Sequence, residues 1–301
     1  MPMPIVMTHN NYGKSEIRLV KLTRGPHRHD VRDVTVDVAL EGDFDAAHLE
    51  GDNTGLLATD TMRNTVYALA KDDPIENIES FARRLVEHFL EAGPTVTRAR
   101  VKIMEHPWAR LEVGRRPHEH AFQRGNGGDR VAIVAGDRNE TRIEAGIEDL
   151  LVLKTTGSGW EGYLDDRYTS LPETSDRILA TIITARWVYG DGEIAFEAVW
   201  RDVHRVILEA FADHYSPSVQ FTLHRMGRAV LEAHPEIERI HFSLPNKHHL
   251  LYDLARFGLE NDNEIFQATD EPYGLIEGTV ERIPDAVPVG ADGAAGASIT
   301  T

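Results

Sequence analysis

The same order of strand-like and helix-like runs occurs twice along this chain, and that duplication limits the fold more than any other feature. Residues 16–43 hold two strand-like runs, "EIRLVKLTRG" and "VRDVTVDVAL". Two helical patterns follow, "TMRNTVYALAK" and "PIENIESFARRLVEHFLEAG". In the second, Ile78, Phe81, Leu85 and Phe89 recur every three or four residues between Pro74 and Gly93. "TVTRARVKIMEH" and "ARLEV" then read as strands. The second half repeats this order. "GIEDLLVLKTT" and "RILATIITARWVYG" are strand-like, "DVHRVILEAFADHY" and "VQFTLHRMGRAVLEAHP" helix-like, and "IERIHFSLP" with "HLLYDL" a closing strand pair.

Laying "TRARVKIMEHPW" over "IERIHFSLPNKH" sets His106 on Asn246, an offset of about 140 residues. The pattern predicts an α+β chain of two tandem halves, 1–140 and 141–285, each an antiparallel sheet with helices on one face. The stretch 120–145 interrupts the order and is expected to hold a hairpin around "GNGGD" at the junction. The small-residue end, 286–301, reads as a disordered tail. Sheets of this kind carry unpaired edges, and pairing of halves and then of chains would close them into a barrel.

Composition excludes several chemistries. There is no cysteine, so disulfides, thiolate metal sites and cysteine nucleophiles are absent. With 49 acidic against 32 basic residues, the net charge of −17 argues against a general nucleic-acid binder. No apolar run is long enough for a membrane helix, and the first residues do not form a secretory signal.

Five stretches could carry chemistry. "RRPHEHAF" places His118 and His120 on one face of a strand, a spacing that suits zinc or merely a polar edge. "FSLPNKHHL" interrupts two apolar runs with Asn246, Lys247, His248 and His249. Its adjacent histidines face opposite ways on a strand, so at most one serves a site. "LLATDTMRN" sets Thr59 and Asp60 at a helix start, as caps or as an anion-facing hydroxyl. Lys14 in "NYGKSEI" is an ordinary solvated lysine unless burial makes it a base. The long connection 155–178 offers Trp160 and Arg177, an aromatic floor and a planar donor fork suited to a flat heteroaromatic anion, or a surface loop with an aromatic anchor. Gln220 in "SPSVQF", at a helix start, is unremarkable alone.

In order along the chain, "YGKSEIRL", "ATDTMRNTVY", "PHEHAF", "VLKTTGSGWEGYLDDRYTSLPETSDRIL", "SVQFTLHRM" and "FSLPNKHHL" resemble the urate oxidase (uricase) family. The resemblance implies the tunnelling fold, with two half-repeats per chain forming a barrel on oligomerisation. It implies a homotetramer with sites at chain interfaces, and oxidation of urate by dioxygen to 5-hydroxyisourate and hydrogen peroxide with no metal or organic cofactor. Lys14 and Thr59 match the family's catalytic pair, and His248 the histidine completing the proton relay. Arg177 and Gln220 match the residues gripping the purine edge, and Asn246 the one that holds dioxygen with Thr59. Trp160 stands where the family usually has a stacked Phe. Asp60, Leu171 and Val219 match positions that meet urate through backbone N–H groups. The end "SITT" differs from a peroxisomal signal, and a cytoplasmic bacterial enzyme is expected. Two other readings are a zinc-dependent pterin or purine enzyme on the same fold, using His118 and His120, and a non-catalytic purine-binding homologue.

Overall fold

A computed structural model describes residues 3, 5–72, 74–125 and 127–283. The expected tail lies outside the described residues. The first half runs β1 (Tyr12–Arg24), β2 (His29–Gly42), α1 (Asp45–Leu49), α2 (Thr59–Asp72), α3 (Ile78–Ala92), β3 (Val96–Glu105), β4 (Trp108–Val113), β5 (Arg116–Arg124) and β6 (Asp129–Gly136). The second runs β7 (Thr141–Lys154), β8 (Leu179–Tyr189), α4 (Phe196–Ala212), α5 (Val219–Ala233), β9 (Ile237–Asn246), β10 (His249–Leu251), β11 (Phe266–Ala268) and β12 (Gly274–Glu281).

The halves do not form separate sheets. Their edges meet at β6 and β7, giving one antiparallel sheet of eight strands in the order β1-β2-β3-β6-β7-β8-β9-β12. Joining the edges satisfies backbone groups that two four-stranded sheets would leave open. Val34, Val36, Val38 and Leu40 alternate toward the helices, as do Ile240, Phe242 and Leu244, so each half buries its own core on one face of the shared sheet. Ile143 packs against both cores.

Four expectations need correction. "ARLEV" does not close the first sheet: β4 pairs with β5 in a separate ribbon, and β6 takes the fourth place. "HLLYDL" likewise contributes only β10, paired with β11, and β12 closes the second half. These ribbon strands lack the alternating buried positions that hold the main strands to the helices. "GNGGD" is no hairpin but the passage from ribbon to sheet, and the hairpin turns lie at 114–115 and 137–140. The repeat offset is 141, because the burial patterns of β3 and β9 superpose only when Glu105, not His106, falls on Asn246.

A charge cluster spans the junction. Glu79 of α3 is fully buried and takes two hydrogen bonds from the Arg130 guanidinium, at 3.0 and 2.8 Å. Arg130 also pairs with Glu197 of α4 and lies over the Trp200 ring. Arg32 holds Glu105 and approaches Glu197 at 3.9 Å. Burial pushes the Glu79 carboxyl up in pKa, against the pull of Arg130. Removing one partner strands the other in a dry site. Arg130→Met is expected to lower the unfolding free energy by about 3–5 kcal/mol, and adding Glu79→Leu to recover much of it, in denaturant titrations of both variants.

Candidate active site

The residues singled out in the sequence fall into two groups at opposite ends of the sheet order. Lys14 leads β1, at one edge, in a stretch shaped by two local features. Gly13 approaches β2 so closely that a Cβ there would sit 1.8 Å from the Val38 carbonyl oxygen, which only glycine allows. A bulge follows between Lys14 and Ile17, with Glu16 at φ 59° and its N–H bonded to Asp37 at 2.7 Å. Lys14 pairs across from the core residue Val38, which puts it on the helix-bearing face. It is half-buried and makes no hydrogen bond or ion pair among the described residues.

Tyr12 brings the second member of this group into place. Its hydroxyl accepts the Leu57 N–H at 2.8 Å, and its ring meets Phe44 edge-on. The bond ties the segment just before α2, which begins at Thr59, to the start of the strand that carries Lys14. Thr59 and Asp60 are exposed at that helix start. The Asp60 carboxylate turns to Arg63 and Asn64 at 2.6 and 3.2 Å rather than capping the helix.

The second group gathers around the 155–178 loop. Ser216 anchors it: its N–H bonds the Gly157 carbonyl, and its carbonyl takes the Gly159 N–H, both at 2.8 Å. Trp160 and Thr174 exchange backbone bonds at 2.7 and 3.1 Å, and the Arg177 N–H bonds Ser158 at 2.8 Å. The loop is therefore a strap pinned at both ends rather than a loose surface segment. Trp160 stacks on Tyr163, with ring centroids 5.4 Å apart and planes 13° apart. The Arg177 guanidinium lies 5.8 Å from the Trp160 ring centroid. Its Nε is buried with no partner, and burial pulls its pKa down. A buried guanidinium N–H without an acceptor is costly unless a ligand supplies one.

Val219 and Gln220 open α5 beside this strap, capped by Ser218, whose hydroxyl oxygen accepts the Phe221 N–H at 3.1 Å. Val219 is buried, and the exposed Gln220 follows it. Leu171 is exposed, and its carbonyl receives the Tyr163 hydroxyl. Asn246 ends β9, opposite Thr181 and Gly274. Beyond it, Lys247 reaches Asp270 at 3.1 Å, the His249 ring bonds the Lys247 carbonyl at 3.0 Å, and the His248 carbonyl takes the Thr269 N–H at 3.0 Å. Lys247 and His249 are thus engaged within their own loop, while the half-buried His248 ring has no hydrogen bond among the described residues.

The two groups do not meet within one chain. From β1 to β9 is six steps in the sheet, about 29 Å along it at ~4.8 Å per step. His118 and His120 also fail to make a metal site. Their rings stand edge to face at 4.7 Å, and the His120 N–H points at His118 Nδ1. Among the described residues no group of three or more metal-ligating side chains is arranged to hold an ion.

The model of the Uricase family matches residues 10–135 and 143–277, which covers both halves. The chain belongs to the uricase family. The uricase of Arthrobacter globiformis is 49% identical over 278 residues, covering 92% of this chain and 90% of that protein. The zebrafish (Danio rerio) uricase is 38% identical, covering 94% and 97%. The crystal structure of the Arthrobacter globiformis uricase superposes with a TM-score of 0.89 at 47% identity, over 95% of this chain and 99% of that one. A uricase structure from Bacillus fastidious, at 21% identity and a TM-score of 0.79, shares the fold.

Against that family, the supporting residues are what sequence reading missed: Tyr12, Ser158, Tyr163 and Ser216. All four stood inside quoted stretches, but their roles depend on contacts that the sequence does not show. With Arg177 donating charge-assisted hydrogen bonds to a bound urate anion, Arg177→Gln is expected to weaken anaerobic urate binding about tenfold to a hundredfold, read by titration calorimetry.

Proposed function

We propose that this uricase-family chain oxidises urate with dioxygen to 5-hydroxyisourate and hydrogen peroxide, using no metal or organic cofactor, in sites completed between chains. The observation that carries the reading is the half-site around Arg177: a buried, unpartnered guanidinium N–H beside an aromatic plane and a helix start. Urate is a planar monoanion at neutral pH. Arg177 and the amide of Gln220 would grip its edge, Trp160 would stack on its face, and backbone N–H groups of Val219, Leu171 and Asp60 would fix its orientation.

Lys14, acting through the Thr59 hydroxyl with His248 behind, would take the second proton of urate. The resulting dianion gives up an electron to dioxygen far more readily than the monoanion does. Superoxide and the urate radical then combine at a ring carbon, and protonation leaves a hydroperoxide. Water replaces it, releasing hydrogen peroxide and leaving the hydroxyl of 5-hydroxyisourate. Asn246 and Thr59 would hold first dioxygen and then that water. The lysine cation formed on proton uptake would stabilise the reduced oxygen species beside it.

A second chain would supply Lys14 and Thr59 across the open sheet edges. Gly274 of β12 already faces Asn246. Antiparallel pairing that sets Lys14 of a second chain beside Gly274 places that lysine two strands from Asn246. The same register sets exposed Ile5 opposite exposed Ile283. It closes the barrel and, by stacking of two such pairs, leads to a homotetramer. The division at 140/141 is then read as two half-repeats meeting inside the chain as chains meet outside it. No helix among the described residues is long and apolar enough to cross a membrane, and we place the enzyme in the cytoplasm.

The test is turnover of urate in air, followed by ultraviolet loss and peroxide, with excess chelator present. Undiminished turnover supports the reading, and metal dependence overturns it. Lys14→Ala is expected to keep anaerobic urate binding within about threefold while turnover falls by at least ~100-fold, as for loss of a general base. Near-normal rates would remove Lys14 from the mechanism.

A further inference from the structure

Beneath the urate-gripping strap lies a buried polar chain that the reaction does not use directly. Ser158, Ser216 and Thr222 are essentially fully buried. Ser216 donates its hydroxyl proton to the Ser218 carbonyl at 3.0 Å. Its 2.7 Å bond with Thr222 must therefore carry the Thr222 proton. With that proton spent, the 2.9 Å contact between Thr222 Oγ1 and His214 Nε2 requires the imidazole to donate. The three bonds fix His214 as the Nε2–H tautomer. They agree with a separate observation: His214 Nδ1 is buried with no hydrogen-bond partner.

The surroundings favour the neutral ring. Lys154 of β7 donates to the His214 carbonyl at 2.7 Å, and Arg225 approaches from α5. Burial is the largest cause holding the imidazole pKa below its usual range, followed by Lys154 and Arg225. The Ala210 carbonyl, a hydrogen-bond acceptor facing the ring, and Asp213 pull the other way more weakly. The Phe221 ring covers the imidazole at 6.0 Å between centroids.

We propose that His214 is a positioning residue for substrate binding, whose Nε2–H begins a hydrogen-bond chain through Thr222 and Ser216 that locks the start of α5 to the strap bearing Trp160 and Arg177. The inference rests on the urate site proposed above. Ser216 is the shared node: its backbone holds Gly157 and Gly159, and its side chain holds Ser218 and Thr222. Gly159 fits only because it has no side chain, since a Cβ would meet the Tyr215 hydroxyl at 2.1 Å, and that hydroxyl bonds Ser175 at 2.9 Å. A shift in the 214–218 segment would therefore be passed to both the aromatic floor and the guanidinium.

His214→Gln keeps an N–H donor within reach of Thr222 and cannot titrate. His214→Leu removes the donor. Steady-state urate kinetics across pH, on folded tetramer or whatever assembly the wild type forms, separate the roles. For the Leu variant the expected result is a KM raised about tenfold with kcat within about twofold, as for one lost hydrogen bond in a binding element. The Gln variant is expected to restore KM. Protonation would add a proton at Nδ1 and leave Nε2–H in place, so the bond to Thr222 is kept in acid and the wild type and the Gln variant are expected to show the same dependence of KM on pH. Should the Leu variant fail to fold, Thr222→Val, which removes the acceptor of the same bond, is expected to raise KM in the same way. A Leu or Val variant with wild-type KM, or a Gln variant that leaves KM raised, would overturn the assignment. Absence of urate turnover in the wild type would instead overturn the function reading beneath it.

Discussion

Six strand steps separate Lys14 from Asn246, and no choice of rotamers in a single chain can close that gap. The eight-stranded sheet is continuous because β6 and β7 pair edge to edge, so it holds the two groups apart as firmly as it holds each one together. Its outer edges, β1 and β12, remain open. Those edges carry the start of the lysine strand on one side and the neighbour of the asparagine strand on the other. The same hydrogen-bond groups that make an isolated edge a liability would, once paired with a second chain, bring base and substrate grip together.

Each half-site is rigid for local reasons. On one side, the close approach at Gly13 and the bulge at Glu16 shape the backbone around Lys14, and the Tyr12 hydroxyl ties the segment before α2 to the same strand. On the other, Ser216 ties a long loop to a helix start, and Trp160 rests on Tyr163. The buried pair Glu79–Arg130 serves neither site directly. It lies where the two halves of one chain join, and with Glu197 it couples α3 to α4. Burial makes such a pair weak evidence of stability by itself, but the bond from Arg130 to Glu197 crosses from the first half to the second and opposes slippage between them.

Much of this was readable in the sequence, and the limits have physical causes. The duplicated order gave the strands and helices of both cores, because Val34 to Leu40 and Ile240 to Leu244 alternate cleanly and Ile78 to Phe89 keep helical spacing. The ribbons were misread: "ARLEV" and "HLLYDL" have strand-like composition, but nothing in them says which partner they pair with. The repeat offset slipped by one residue, which in a strand reverses every side chain, and only burial decides it. Among site residues, Trp160 and Arg177 were already suggested by the chemistry of their loop, whereas Lys14, Thr59 and Gln220, weak alone, stood out through a family pattern. His214, Ser216 and Tyr12 carried no signal of their own, since their importance arises from bonds between segments distant in sequence.

The central claim, that each site takes its base from one chain and its substrate grip from another, has a direct test in mixed assemblies. Lys14→Ala and Arg177→Ala chains are purified separately, then unfolded and refolded together. Each variant alone is expected to be nearly inactive. Random pairing of the two should restore up to about a quarter of wild-type activity, since one site in four would join two intact half-sites. Mixtures no more active than the separate variants, although shown to contain both chains in one assembly, would contradict the account.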